Sequence, residues 1–328
     1  MIGLRARAPA AAMAVCLFLI PASAGFAQPL GNADLKGPPF VLTMIGPGVY
    51  AAINQPGSYA GSNAGFIVGD DGVVVVDAFS NPDVARYFLG EIRKITPKPI
   101  RFLINTHYHG DHVVGDAVFH DAGAVIVAHR NVRGWIHAEN IRLFGGDKLK
   151  PETRAQIEAV PTPDLVTSQP LTIWLGARRV EVLPRAGHTG GDLAVSVPDA
   201  HVLFGGDLLW RRISPTIVDS NVRVAIGELA AFRRMPDSAV TTFVPGHGEL
   251  MRVGDVAEYQ AHLADLAAAT ADVRKAGLKG EDEVEAVKAI LKPRYGDWRG
   301  FDRSTAFEVQ AMDEELAGTK RVPTPASD

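Results

Sequence analysis

The chain has 328 residues, 47% of them hydrophobic and 21% charged, with a formal net charge of −4. That apolar share fills an ordinary packed core and excludes global disorder, collagen-like repeats and low-complexity classes. The slight acidity argues against a general grip on nucleic acid, which wants a basic face, and favours a small-molecule partner.

At the start, Arg5 and Arg7 precede an apolar run from Ala10 to Ile20, and small residues follow up to Ala27. A basic start, a short apolar core and small residues before a cut are the order of a secretory signal peptide, expected over residues 1–27. The run is about half of the ~20 residues that span a bilayer, so no stable membrane anchor is expected after cleavage. Cleavage is expected after Ala27, with Ala24 as the alternative, and the mature protein is expected to be periplasmic or secreted. Cys16, the one cysteine, lies inside this leader. The mature chain then has neither disulfide nor thiolate, and any metal must be held by His, Asp or Glu.

Residues 28–38 read as a polar arm. Phe40 to Ile53 and Gly65 to Val68 read as short strands, interrupted at Gly46-Pro47-Gly48. The turn Asp70-Asp71-Gly72 leads into Val73–Val76, a run of four valines that reads as a strand buried on both faces. It ends at Asp77. Asn81-Pro82 opens a helix through about Ile95, with Val84, Phe88 and Ile92 at helical spacing. A strand at Ile100–Ile104 then delivers the chain to Asn105-Thr106-His107. After an alanine-rich stretch to Ala128, the region from Arg130 to Gln169 is polar and irregular. Its part Glu139–Thr167 is expected either as a mobile lid or as an ordinary connecting loop with one helix. Strands follow at Leu171–Leu175, Arg179–Leu183, Leu193–Val197, His201–Phe204 and Val240–Val244, with a helix near Ile226–Arg234. Strands and helices interleaved in both parts predict an α/β sandwich of two similar halves over residues 28–254. Residues 255–328 are expected as a C-terminal helical extension packed on its outer face.

Thr106-His107-Tyr108-His109-Gly110-Asp111-His112 dominates the sequence: three imidazoles and a carboxylate directly after a buried strand. His107 and His109 leave one face of an extended segment, while Asp111 and His112 follow where the chain turns into a helix and point at a second spot. Zinc takes nitrogen and oxygen ligands and keeps an open position in catalytic sites. So dense a ligand set at one strand end suits two metals about 3.5–4 Å apart sharing a solvent oxygen. The same arrangement recurs singly in Gly187-His188-Thr189, Gly205-Gly206-Asp207 and Gly246-His247-Gly248, each a ligand-type residue flanked by glycine at the end of an apolar run.

The order His-x-His-x-Asp-His, then His, Asp and His, resembles the metallo-β-lactamase-fold hydrolase superfamily, with a glyoxalase II-like ligand set, over roughly Phe40 to Leu250. The resemblance implies a four-layer αββα sandwich with the site at one edge of two sheets. It implies His107, His109 and His188 on a first metal, Asp111, His112 and His247 on a second, and Asp207 bridging. Asp77 matches the acidic residue that supports the first histidines from behind, or is a strand-end cap. The chemistry implied is hydrolysis: a hydroxide held between two zinc ions, with iron or manganese as alternatives, attacks an ester, thioester, lactone or amide carbonyl. Asp111 orients it and accepts its proton.

Aspartate at 207 departs from the cysteine or serine usual in the resistance enzymes of this fold, which puts β-lactam hydrolysis second. A third reading is a periplasmic zinc-binding accessory protein of a redox system. Tyr108 is expected either to hydrogen-bond a substrate oxygen or to pack on the site wall. Trp210, Arg211 and Arg212 are candidate substrate contacts, the arginines through a substrate carboxylate. His120, His129, His137, His201 and His262 read as surface or structural, and Asp116 as capping or solvating its helix. The sequence leaves the oligomeric state open.

Overall fold

The protein is described here from a computed structural model covering Leu35 and residues 37–324; the expected leader lies outside the described residues. Strands β1 (Phe40–Gly46), β2 (Val49–Asn54), β3 (Ala64–Val68), β4 (Val73–Val76), β5 (Ile100–Ile104), β6 (Val125–His129) and β7 (Leu165–Thr167) form one sheet in that order. Its first four strands run antiparallel, and β4 to β7 run parallel. The second sheet holds β8 (Leu171–Leu175), β9 (Arg178–Arg185), β10 (Asp192–Val197), β11 (Val202–Trp210) and β12 (Thr242–His247), in the spatial order β12-β11-β10-β9-β8. There β11 and β12 are parallel and the other neighbours antiparallel.

The valine run sets the layering. Val74 and Val76 face the second sheet, in one apolar cluster with Ile67, Ile104, Val182, Val195 and Phe204. Val73 and Val75 face outward against Val84, Phe88, Ile92 and Phe119. Those residues come from α1 (Pro82–Ile95) and from α3 (Asp116–Asp121), which follows the four-residue α2 (Gly110–Val113). All four valines are at most 1% exposed, and full burial of one such side chain contributes about 1.5–3 kcal/mol. Asn81 starts α1 by accepting the Asp83 N–H at 2.8 Å, with Pro82 at the first helical position.

The chain between β6 and β7 carries α4 (Val132–Trp135), α5 (Ala138–Leu143) and α6 (Pro151–Glu158). Of the two expectations for Glu139–Thr167, a mobile lid or an ordinary connecting loop with one helix, the second is corrected, since the stretch carries more than one helix. The segment wraps Tyr108, Val113, Trp135, Ile136, Ile157 and Val160 into an apolar cluster of their own, and even its Glu139 and Asn140 are buried. Polar composition hid a packed wall. The other outer layer comprises α7 (Val222–Arg233), α8 (Val253–Lys275), α9 (Glu281–Tyr295) and α10 (Phe301–Ala317). They share one cluster with the outer face of the second sheet, through Leu208, Leu229, Phe232, Leu263, Val287 and Met312. The architecture is the expected αββα sandwich with a helical C-terminal region, whose first helix begins at Val253. Among the described residues no helix is long and apolar enough to cross a membrane.

A second correction concerns β11, which runs to Trp210 rather than stopping at Phe204. Its pairing with β12 shifts register at Gly206, where φ is +51°, a conformation that glycine adopts without a Cβ clash. Asp207 therefore stands within a bent, fully buried strand instead of after one.

Candidate metal centre

The carboxyl ends of β4, β5 and β12, the bend in β11 and the turn between β9 and β10 meet at one edge of the sandwich, where open α/β folds place their ligands. Asp77 ends β4. His107 and His109 follow β5, and Asp111 and His112 open α2. His188 comes from the β9–β10 turn, Asp207 from the bend in β11 and His247 from the end of β12. The seven expected ligand positions come together in two groups, His107/His109/His188/Asp207 and Asp111/His112/His247. Within each group the ligand atoms lie within 4.8 Å of one another. Asp207 reaches across both. Its Oδ2 is 3.3 Å from His188 Nε2, 4.0 Å from His107 Nε2 and 3.3 Å from His247 Nε2, and its Oδ1 is 3.1 Å from His112 Nε2. Asp111 Oδ2 lies 3.2 Å from His247 Nε2 and 3.7 Å from His112 Nε2.

Three of the imidazoles, those of His112, His107 and His109, are held from behind, which fixes the nitrogen each turns to the centre. Asp77 reaches His112 rather than the first histidines: its Oδ2 lies 2.9 Å from His112 Nδ1. His107 is reached through Thr106, whose hydroxyl donates to Asp77 Oδ2 at 2.8 Å and lies 3.1 Å from His107 Nδ1. His109 is turned the other way. Its Nδ1 lies 3.0 Å from His188 Nε2, and its Nε2 lies 3.5 Å from Asp219 Oδ2. Asp192 holds the His188 turn by accepting the backbone N–H groups of His188 and Thr189, each at 3.0 Å. Asn63 ties β12 to β3 by donating to Pro245 O and Gly248 O, both at 2.8 Å.

Thr106, Asp219, Asp192 and Asn63 were not singled out from the sequence. Thr106 is legible in retrospect as the residue opening the histidine motif. Asp219 and Asn63 carry no local signal, since their partners lie 111 and 182 positions away.

The electrostatics suit a cation. Burial, reinforced by neighbouring imidazoles, holds His107 well below the usual histidine range and lowers His188 to about 3, so both are neutral donors. For Asp207 burial acts upward, but His247, His112 and His188 outweigh it and keep the carboxyl well below its usual range. Asp111 is likewise lowered, because His112 and His247 overcome burial. Burial pulls His247 down, yet Asp207 and Asp111 raise it to about 9, which marks a place where positive charge is favoured. His107 Nε2, His112 Nε2, Asp111 Oδ1 and Asp207 Oδ1 are buried with no hydrogen-bond partner. An orphaned buried polar atom costs about 1–3 kcal/mol, more if charged. Coordination of a metal removes that cost, and neutral imidazoles with ionised carboxylates are the form in which these groups bind one.

The expected substrate contacts are corrected. Tyr108 is fully buried, and its hydroxyl donates to Asp219; it packs in the site wall, the second of its two expected roles. Trp210 is 5% exposed, donates Nε1–H to Asp207 O and stacks on His247 with ring centroids 4.1 Å apart. It orients a ligand-type residue. Arg211 turns to α8, 2.6 Å from Glu258 and 3.0 Å from Asp255, and Arg212 pairs with Glu258 and Asp297. Glu258 and Asp255 thus draw the arginines onto the helical layer. Asp116 is fully buried, not solvated; it accepts from Asn105 Nδ2 at 3.0 Å, and burial pushes its carboxyl well above the usual range. His262 is structural as expected, buried 3.2 Å from Glu308 between α8 and α10.

Two sheets packed face to face between helices, with a His/Asp cluster at their common strand-end edge, define a metal-dependent hydrolase. The chain belongs to the metallo-beta-lactamase superfamily, whose family model matches residues 59–247. It is similar to the 2,4-dinitroanisole O-demethylase subunit alpha of Nocardioides sp., at 28% identity over 252 residues, 74% of this chain and 71% of that one. It is also similar to a hydroxyacylglutathione hydrolase of Synechococcus sp., at 24% identity over 163 residues, 49% of this chain and 55% of that one. The chain thus spans little more than half of that relative. The solved metallo-beta-lactamase from Pontibacter korlensis has a TM-score of 0.56 at 22% identity, covering 69% of this chain and 99% of that chain, a likeness of fold.

Proposed function

We propose that this protein is an exported hydrolase with two divalent cations, zinc first, that cleaves an ester, thioester, lactone or amide carbonyl of a small molecule. The observation that carries the reading is the reach of Asp207 to imidazoles of both groups, at 3.1–4.0 Å. Glycine at 246 is what leaves it room, since a Cβ there would stand 1.8 Å from Asp207 Oδ1. On this reading His107, His109 and His188 hold one cation, Asp111, His112 and His247 hold the other, and Asp207 serves both. Cations held there supply Lewis acidity and a water that ionises near neutral pH. Asp111, whose Oδ1 has no hydrogen-bond partner, orients the attacking water and accepts its proton. Trp210 keeps His247 in place and excludes solvent from that side. Asp77 and Thr106 hold Nδ1 of His112 and His107, so that both rings present Nε2 inward.

Two considerations support the rest. The names of the two relatives, a hydroxyacylglutathione hydrolase and a 2,4-dinitroanisole O-demethylase, both refer to small organic substrates. Export rests on the leader-like order of residues 1–27 in the sequence, which implies a periplasmic or secreted enzyme.

The test is a zinc-loaded sample assayed on a p-nitrophenyl ester, an acyl thioester, a lactone and nitrocefin, beside His107→Ala and Asp111→Ala. Turnover of a carbonyl substrate other than the β-lactam, lost by at least about 10²-fold in both variants, supports the reading. Turnover confined to nitrocefin transfers the assignment to a β-lactamase, and zinc uptake without any turnover transfers it to a zinc-binding accessory protein.

A further inference from the structure

The last described residues return to the metal centre. Beyond α10, Arg321 lies against α5, where its Nη1 and Nη2 donate to Glu139 Oε2 and Oε1 at 2.9 and 2.8 Å. Glu139 also accepts from Arg142 Nε at 2.6 Å, and Arg142 Nη2 donates to both oxygens of Asp219 at 2.7 Å. Asp219 in turn accepts from the Tyr108 hydroxyl and lies 3.5 Å from His109 Nε2. A second tie runs beside the first: Trp135 Nε1 donates to Thr324 O at 2.6 Å, and its ring packs edge-on against Tyr108 at 5.6 Å. Lys320, with a side chain only 5% exposed, lies 3.2 Å from Glu315. Glu315 accepts the backbone N–H groups of Val222 and Arg223, where α7 leaves the Asp219 loop.

We propose that Lys320–Thr324 form a strap that positions His109 through Glu139, Arg142 and Asp219, so that the C-terminal segment sets the affinity of the first cation. The inference rests on the reading of His109 as a ligand given above. Its physical basis is a relay of orientation. Arg321 fixes the Glu139 carboxylate and Glu139 fixes Arg142 Nε, so without Arg321 that carboxylate loses one of its two anchors and no longer holds the Arg142 guanidinium against Asp219. A carboxylate 1% exposed then loses its fixed partner, and the imidazole it steadies loses its orientation. Outer partners of metal-binding histidines are worth about 10- to 100-fold in affinity, and Arg321, three contacts beyond Asp219, belongs at the lower end. Arg321 is thus a positioning residue and touches no substrate.

The test is zinc affinity measured by competition with a chromophoric chelator, for the intact chain, Arg321→Ala, Glu139→Gln, the double variant and His109→Ala. About a tenfold loss for one zinc ion is expected in each of the first two variants. The double variant should lose no more than either single one, because both cut the same chain of contacts. Far-UV circular dichroism should stay unchanged, since the Arg321 side chain is 55% exposed. Wild-type affinity in Arg321→Ala and Glu139→Gln, with zinc lost in His109→Ala, overturns the strap alone. Wild-type affinity in His109→Ala removes the ligand reading and the strap with it. Should Arg321→Ala fail to fold, Glu139→Gln decides, and undiminished affinity there overturns the proposal.

Discussion

Asp77 Oδ2 and His112 Nδ1 lie 2.9 Å apart, joining the end of β4 to the helix turn that carries the last histidine of the motif. Asp77 adopts φ +61°, a left-handed conformation that costs a non-glycine residue about 1–3 kcal/mol. It is kept there by three bonds: the Thr106 N–H and hydroxyl donate to its carboxylate, each at 2.8 Å, and Ala78 N donates to His112 O at 2.7 Å. Strain at this position is the consequence of aiming one carboxylate at two elements at once.

Removing that carboxylate in Asp77→Ala should therefore cost metal as well as stability, since the Thr106 N–H and hydroxyl lose their buried acceptor. Zinc affinity should fall about 10- to 100-fold, read as zinc per chain after dialysis against a buffered metal series. Full zinc retention at the lowest free zinc would assign Asp77 to the strand-end capping role instead.

Tyr108→Phe separates a wall residue from a substrate contact. The substitution deletes the hydroxyl that donates to Asp219, and a bond to a charged acceptor contributes about 1.5–3 kcal/mol. Thermal unfolding should move down by a few degrees while KM on the best carbonyl substrate stays within about twofold. A large rise in KM without loss of stability would return Tyr108 to the substrate.

What was legible in the sequence had a short-range cause. Val73–Val76, Asn81-Pro82 and the glycine-flanked His188, Asp207 and His247 each announce themselves within a few residues, because burial on two faces, helix capping and close backbone approach are local demands. The continuation of β11 past Phe204 was not legible, because Gly205-Gly206 reads as a break when a bend inside the strand is what it provides. The wall formed by α4, α5 and α6 was hidden by its polar composition; buried Glu139 takes Arg321 and the Asn140 amide donates to Tyr108 O, partners no local pattern names. Arg211 and Arg212 misled for the same reason. Their carboxylates lie some 45 to 85 positions later in the chain.

Arg211→Ala tests that last correction. Its pairs with Glu258 and Asp255 are partly exposed, with all three side chains 23–29% accessible, so solvent screening leaves each worth about 0–1 kcal/mol. The variant should lose about 1 kcal/mol or less in denaturant unfolding. KM for a substrate bearing a carboxylate should not change; a tenfold rise would mean that Arg211 leaves Glu258 to grip the substrate.

Asp219 gives the acid limb of stability a specific origin. Burial on its own pushes this carboxyl up, but the hydrogen bond and charge of His109, with Arg142 and the Tyr108 hydroxyl, outweigh burial and hold it well below the usual carboxylate range. A folded-state value below the unfolded one, about 3.9 for aspartate, means that the unfolded chain binds the extra proton as pH falls. The stability contributed by Asp219 is therefore fully present above the ordinary carboxylate value and is lost as the pH drops below it. From about pH 5 to 8 the metal-free wild type should be more stable than Asp219→Asn. Their curves should converge between about pH 4 and 2. A gap that persists undiminished to about pH 2, or widens there, would mean that the Asp219 charge is not what Arg142 and Tyr108 are holding.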